Sequence, residues 1–395
     1  MKRPLSFFGS AALPIFALVT ILFMNGCTNI SGASKSSTSL SSFLGFSELP
    51  DWYVRSKYRY SDSKWIDNDF GTSIHYRDVG EGPVVVLLHG EISSLHTWDK
   101  WIERLSQDFR VIAIDLPGSG LTSAPHCIDD TEETCAENLS GNYLAHTFEY
   151  FIEDLGIDKF SLVGSSYGGY LAAQYTAHQH PEKIDKLILM TPMGFQQDLP
   201  WILDYVTKPG LNILNRYFQP SSIITTIVDN FYGESDKIQQ VDIERYIHLA
   251  QTEGAHESNV GQLTLVRMLM EYGMLIELSD ISHPTLVMWG ELDSWGDFTH
   301  AERWDTALGN STLVTYPTYG HALMEEDPVA TAEDVAAFIN DEPLPTIEGL
   351  GFNSFTIEDA LQDLDKEALF GKAASEANSV STQENEEESL MEDVE

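Results

Sequence analysis

A chain of 395 residues, 43% hydrophobic and 21% charged, can bury a large core in one or two domains. Its formal net charge of -39 leaves no basic footprint to neutralise phosphates, which argues against nucleic acid as a partner. Acidity of this size serves solubility.

The chain opens on an address. Lys2 and Arg3 form a short positive region, and Leu5 to Met24 form an apolar run broken by Pro14. Met24-Asn25-Gly26-Cys27 then resembles a bacterial lipobox. That resemblance implies removal of residues 1–26 and a lipid on Cys27, with the protein held in the envelope of a Gram-negative-type bacterium and facing the periplasm. Thr28, where aspartate signals inner-membrane retention, points to the outer membrane. An ordinary secretory signal or an uncleaved anchor are the alternatives. Residues 27–45, rich in Ser and Gly, read as a flexible tether.

Export changes the reading of the other two cysteines. Cys127 and Cys135 share one loop, Pro125 to Cys135, and in an oxidising compartment they are expected to pair. A metal site using His126 and Asp129 is the alternative, but the spacing fits no standard zinc pattern, so no metal is expected.

The body of the chain alternates strand and helix signals. Lys64 to Asp67 and Ser73 to Asp78 predict a hairpin around Phe70-Gly71. Val84 to Leu88 is a β-branched apolar run, as expected for a strand buried on both faces. Trp98 to Leu105 has helical spacing, Val111 to Ile114 reads as a strand, Tyr143 to Leu155 as a helix and Phe160 to Val163 as a strand. After a helix over Tyr170 to Ala177 come strands at Lys186 to Met190, Thr285 to Trp289 and Leu313 to Tyr316. Helices are predicted over His300 to Leu308 and Ala330 to Ile339. This order predicts an α/β fold of about eight mostly parallel strands flanked by helices, with core segments 46–192 and 283–345. Residues 193–282 break the alternation: aromatic, apolar and helix-prone, they read as a helical cap inserted after strand six. Residues 346–395 end in an acidic run and are expected to be largely disordered.

Three sites carry chemistry. Gly164-x-Ser166-x-Gly168 lies between a strand and a helix, the setting of a nucleophile elbow. Asp293 follows the seventh strand in Gly290-x-x-Asp293, and His321 follows the last in Gly320-His321. With Leu88-His89-Gly90 and Asp115-Leu116-Pro117-Gly118-Ser119-Gly120, these motifs resemble the capped α/β-hydrolases of the epoxide-hydrolase-like and carbon–carbon-bond-hydrolase-like group, over about Lys64 to Ile339. The order Ser166, Asp293, His321 is that of the family triad. The resemblance implies attack by Ser166 on a carbonyl of a small acyl substrate, His321 as base, Asp293 as its orienter, and no cofactor. Backbone N–H groups of Glu91 and Tyr167 are the expected oxyanion donors, with His89 and Gly90 bracing the loop. Serine at the elbow argues against epoxide opening and dehalogenation, which use aspartate there. A catalytically idle scaffold that binds an envelope ligand is the alternative.

Glu91 departs from the family pattern, since a carboxylate there would oppose the developing charge. It is expected to point to solvent or to bond a neighbouring donor. Asp297 is the rival acid to Asp293, and Asp115 is expected to organise its turn. His96, His178, His180, His283 and His300 have no motif setting and read as surface or capping residues. Glu149, Glu153 and Asp154 read as an exposed helix face. Nothing in the sequence bears on oligomeric state.

Overall fold

The computed structural model describes residues 48–69, 71–123 and 141–349. Cys27 with its leader and tether, the Cys127–Cys135 loop and the acidic tail lie outside the described residues.

Eight strands form one sheet: β1 Lys64–Asp67, β2 Ser73–Val79, β3 Val84–Leu88, β4 Arg110–Ile114, β5 Phe160–Ser165, β6 Ile184–Met190, β7 Thr285–Gly290 and β8 Ser311–Tyr316. Their order is β1-β2-β4-β3-β5-β6-β7-β8. β1 and β2 are antiparallel to their neighbours, and β4 through β8 run parallel. The parallel strands are covered on both faces, which is why Val84–Leu88 and Phe160–Ser165 read as continuous apolar runs without alternation.

β3 pairs with β4 on one side and β5 on the other. The strand order therefore reverses at β3, and ligand sites collect beyond the carboxyl ends of strands at such a point. Because Leu88 stands opposite Gly164, the residues following β3 and β5 meet there.

The helices around the sheet are α1 Asp51–Tyr58, α2 Asp99–Leu105, α3 Gly141–Asp154 and α4 Tyr167–His178. After β6 come α5 Trp201–Thr207, α6 Leu211–Asn215, α7 Ser221–Asp229, α8 Gln240–Ala250 and α9 Ala255–Tyr272. The chain closes with α10 Thr299–Leu308, α11 Leu323–Glu326, α12 Pro328–Ile339 and α13 Pro345–Gly349. α12 starts on an N-cap, Asp327, whose carboxylate accepts from Ala330 N at 3.0 Å. It packs on α2, where Trp101 Nε1 donates to Thr331 Oγ1 at 3.0 Å.

The segment from α5 to α9 is helical, as its composition predicts, and it is tied to the sheet's carboxyl edge. Gln262 Nε2 donates to Pro117 O at 3.2 Å, and the N–H groups of His321 and Ala322 both donate to Phe231 O, at 2.7 and 2.9 Å. The sequence predicts no helix at α1, because eight residues with one buried side chain, Val54, give little periodicity. It is held by tertiary contacts: Lys57 Nζ donates to Glu244 Oε1 at 2.6 Å and Tyr58 Oη bonds His248 Nδ1 at 2.8 Å.

Three surface expectations are corrected. His96 is buried and bonds Tyr58 O at 2.8 Å, and burial pushes its pKa down to about 4. His300 is buried against Phe195. Glu149 is part-buried, accepting from Lys183 Nζ at 2.5 Å and from the Tyr175 hydroxyl. Isolated polar residues carry no sequence signal of such long-range partners.

Candidate active site

The elbow is built by backbone crowding. A Cβ on Gly164 would stand 2.3 Å from Gly168 O, and one on Gly168 would stand 2.4 Å from His89 O. Both positions therefore exclude any side chain. Between them Ser166 has φ 55° and ψ -118°, a left-handed conformation that costs a non-glycine residue about 1–3 kcal/mol and is held by its surroundings. α4 begins at Tyr167, three residues earlier than its periodicity suggests, so the Tyr167 amide belongs to the first turn of a helix whose unpaired N–H groups favour negative charge.

His321 is fixed by its neighbours on both sides. Gly320 N donates to Glu326 Oε1 at 2.5 Å, and Glu326 Oε2 accepts from Gly233 N at 3.1 Å. The imidazole lies against the Phe231 ring, 5.6 Å between centroids. Its Nδ1 bonds Asp293 Oδ2 at 2.8 Å. Asp293 is oriented in turn, its Oδ1 accepting from Trp295 N at 2.8 Å and Gly296 N at 2.9 Å. With a carboxylate facing Nδ1, the ring carries its proton there and leaves Nε2 to accept another. Burial alone would lower the His321 pKa, but Asp293, followed by Glu91 and Glu326, outweighs it and the pKa is raised. Asp297, the rival acid, is exposed and bonds Thr299 N at 2.9 Å at the start of α10.

Glu91 corrects one half of its expectation and supports the other. It does not face solvent: it is 1% exposed. Its Oε1 accepts from Trp295 Nε1 at 3.1 Å, and its Oε2 accepts from Ser166 Oγ at 3.3 Å. Meanwhile His321 Nε2 is buried and has no hydrogen-bond partner among the described residues. Burial raises the Glu91 pKa, with His321 the largest of several opposing influences.

The loop after β3 is braced from beneath. His89 Nε2 accepts from Leu116 N at 2.9 Å and its Nδ1 bonds Gly90 O at 2.6 Å. Nδ1 is thus the protonated nitrogen, and burial lowers the His89 pKa, keeping the ring neutral. Asp115 is buried, accepting from Leu95 N at 2.6 Å, from Leu121 N at 2.8 Å and from His75 Nδ1 at 2.7 Å. Burial opposes its charge, yet the histidines around it hold its pKa below the ordinary value. Asp115→Ala is expected to lower stability by about 3–5 kcal/mol, because two amides and a histidine lose their acceptor inside the core. Urea unfolding at neutral pH checks it. The contribution is present above the unfolded-state pKa and is lost as pH falls through the lower folded-state value, so the variant and wild type converge only in acid.

Ser166, Glu91 and His321 line one pocket, open to solvent and spanning about 300 Å³, which Phe231 and Tyr246 from the helical segment also line. Sequence reasoning missed Phe231, Trp295 and Glu326, which hold the histidine loop and Glu91. No spacing rule links them to the motifs. The described residues contain no cluster able to hold a metal ion.

The family model for the alpha/beta hydrolase fold matches residues 83–328, which contain all three candidate residues. The chain belongs to the α/β-hydrolase fold family. Among its α/β-hydrolase relatives, a pimeloyl-[acyl-carrier protein] methyl ester esterase from Nitrosomonas europaea is 28% identical over 257 residues, covering 63% of this chain and 93% of that one. A 2-hydroxy-6-oxo-6-phenylhexa-2,4-dienoate hydrolase from Comamonas testosteroni is 25% identical over 256 residues, covering 63% of this chain and 84% of that one. Among solved structures, a meta-cleavage product hydrolase from Pseudomonas fluorescens superposes with a TM-score of 0.60 at 22% identity, over 70% of this chain and 97% of its own. A bacterial membrane phospholipase A superposes with a TM-score of 0.57 at 24% identity, over 71% of this chain and 86% of its own. These superpositions are likenesses of fold. The family and its hydrolase relatives make this chain a hydrolase of the α/β fold.

Proposed function

We propose that this α/β-hydrolase is a serine hydrolase that cleaves an ester, lactone, thioester or related carbonyl substrate through an acyl-enzyme on Ser166. His321 takes the Ser166 proton at Nε2 as Oγ attacks the carbonyl carbon, then returns it to the leaving group. Asp293 holds the imidazole tautomer and stabilises the imidazolium. A water then repeats the sequence to release the acid. The observation that carries this reading is the 2.8 Å His321–Asp293 bond in a cavity shared with an elbow serine of strained backbone. Esterase and carbon–carbon-bond hydrolase relatives support the substrate class. A fluorophosphonate probe is expected to label Ser166 in the wild type and not in Ser166→Ala. Folded wild-type protein that takes no label would instead favour the idle, ligand-binding scaffold.

We also propose that Cys27 carries the lipid that holds the protein in the cell envelope, a reading supported by Met24-Asn25-Gly26-Cys27 after an apolar run. Among the described residues no helix is long and apolar enough to cross a membrane. In cells given labelled palmitate, the wild type is expected to take up label and Cys27→Ala to take up none. An unlabelled wild type removes the proposal.

A further inference from the structure

Glu91 sits where the hydrolase reading requires negative charge to collect. Its carboxyl accepts from the Trp295 indole at 3.1 Å, the Ser166 hydroxyl at 3.3 Å and its own backbone N–H. That backbone N–H is one of the two amides expected to hold the oxyanion, and the side chain stands in front of it. The carboxyl is buried and pinned by Trp295, so turning to solvent means breaking that bond.

The titratable groups around this pocket come from the loop after β8, from α4, from α8 and, behind it, from α11. His321 projects from the loop after β8 and Tyr167 from α4. Tyr246 comes from α8, and behind it Glu325 of α11 accepts the Tyr246 hydroxyl at 2.8 Å. Arg245, the cation of that wall, is bound to Asp242 at 2.8 Å and Glu325 at 3.3 Å.

Attack changes this balance. When Ser166 Oγ bonds the carbonyl carbon, its proton passes to His321 Nε2 and the C=O electron pair moves onto the oxygen. Glu91 thereby loses the Ser166 donor at the moment an anion forms beside it. The imidazolium formed at His321 favours an ionised Glu91, but that carboxylate would be buried, short of a donor and next to a like charge, each of which is costly. A neutral acid meets neither penalty and has a proton to offer.

We propose that Glu91 works as a neutral carboxylic acid whose O–H joins the Tyr167 N–H in holding the oxyanion, in place of the Glu91 backbone amide. The inference rests on the serine hydrolase reading. Glu91 keeps its proton throughout; the electron pair returns to carbon as the leaving group departs with the proton held by His321. Apolar burial is known to keep an acid neutral for this purpose, and burial is the largest influence on Glu91, raising its pKa. Activity therefore rises with pH as His321 becomes neutral and falls again as Glu91 ionises.

The test follows kcat and KM against pH for the full chain on a p-nitrophenyl ester. Glu91→Gln, which keeps a donor but cannot titrate, is expected to lose the alkaline decline and to lower kcat less than Glu91→Ala does. Glu91→Ala removes the acid but uncovers the backbone amide behind it, so it is expected to lower kcat by less than the roughly 10²–10³-fold of an outright donor loss, with KM little changed. An alkaline decline that survives in Glu91→Gln, a rise in its kcat, or an unchanged Glu91→Ala each overturns the proposal. An infrared difference spectrum of wild type minus Glu91→Gln at neutral pH should show the carbonyl band of a protonated carboxyl, a readout independent of turnover. Fluorophosphonate labelling separates the two levels. Labelling without the infrared band overturns only the role of Glu91, while folded wild type that takes no label overturns the hydrolase reading and this inference with it.

Discussion

Ser166→Ala is expected to lower kcat by about 10⁶-fold while leaving KM within the same order, as removal of a triad nucleophile does elsewhere. The effect is large because the other hydroxyls lining the pocket, Ser93, Thr97, Ser165 and Tyr246, do not stand at the apex of the elbow. Ser166 stands at the carboxyl end of β5 on a turn that Gly164 and Gly168 keep free of side chains. The oxygen is 3.3 Å from Glu91 and shares its cavity with His321. Alanine removes one atom, so the strained φ of 55° at this position changes little in cost. Circular dichroism of the variant beside its single-turnover rate distinguishes loss of chemistry from loss of fold. A variant that kept a tenth of the wild-type rate would exclude an acyl-enzyme on this residue.

Asp293→Asn is expected to lower kcat by about 10⁴-fold with the fold intact. Asp293 Oδ1 accepts from Trp295 N and Gly296 N, so the amide oxygen of asparagine is held toward those two donors. Its NH₂ then faces His321 Nδ1 as a donor, which pushes the ring proton to Nε2. A ring protonated at Nε2 cannot take the Ser166 proton. The same change removes the largest influence that raises the His321 pKa against burial. The acid limb of kcat/KM, set by the need for a neutral His321, should therefore move to lower pH in the variant. Asp297→Asn is the matched control. Asp297 is exposed and accepts from Thr299 N and Oγ1 at the start of α10, so its loss should alter stability slightly and the acid limb not at all. An Asp297 variant that lost activity as Asp293→Asn does would reverse the assignment.

Glu91 shows how far local reasoning reached. Its position after His89-Gly90 identifies the residue as anomalous from sequence alone. Position alone does not say whether the carboxyl faces solvent or a donor, and one donor it meets is Trp295, 204 residues away in the chain. The same holds for His321, whose loop hangs on Phe231 and Glu326. Backbone hydrogen bonds and indole N–H groups leave no spacing pattern, so partners of this kind are invisible before the chain folds.

What the sequence determined by itself is the part with local causes. Strand and helix order follows from hydrophobic periodicity and turn residues. The elbow follows from glycines that sit two residues either side of Ser166, and the order of the proposed triad follows from motifs anchored at strand ends. Only the tertiary structure decided which acid meets His321, how Asp115 and His89 carry the loop after β3, and which way Glu91 points. Those outcomes depend on β3 lying between β4 and β5 and on the helical segment closing over their ends. Burial then sets the charge state of each group, and burial belongs to the assembled molecule and to no single stretch of it.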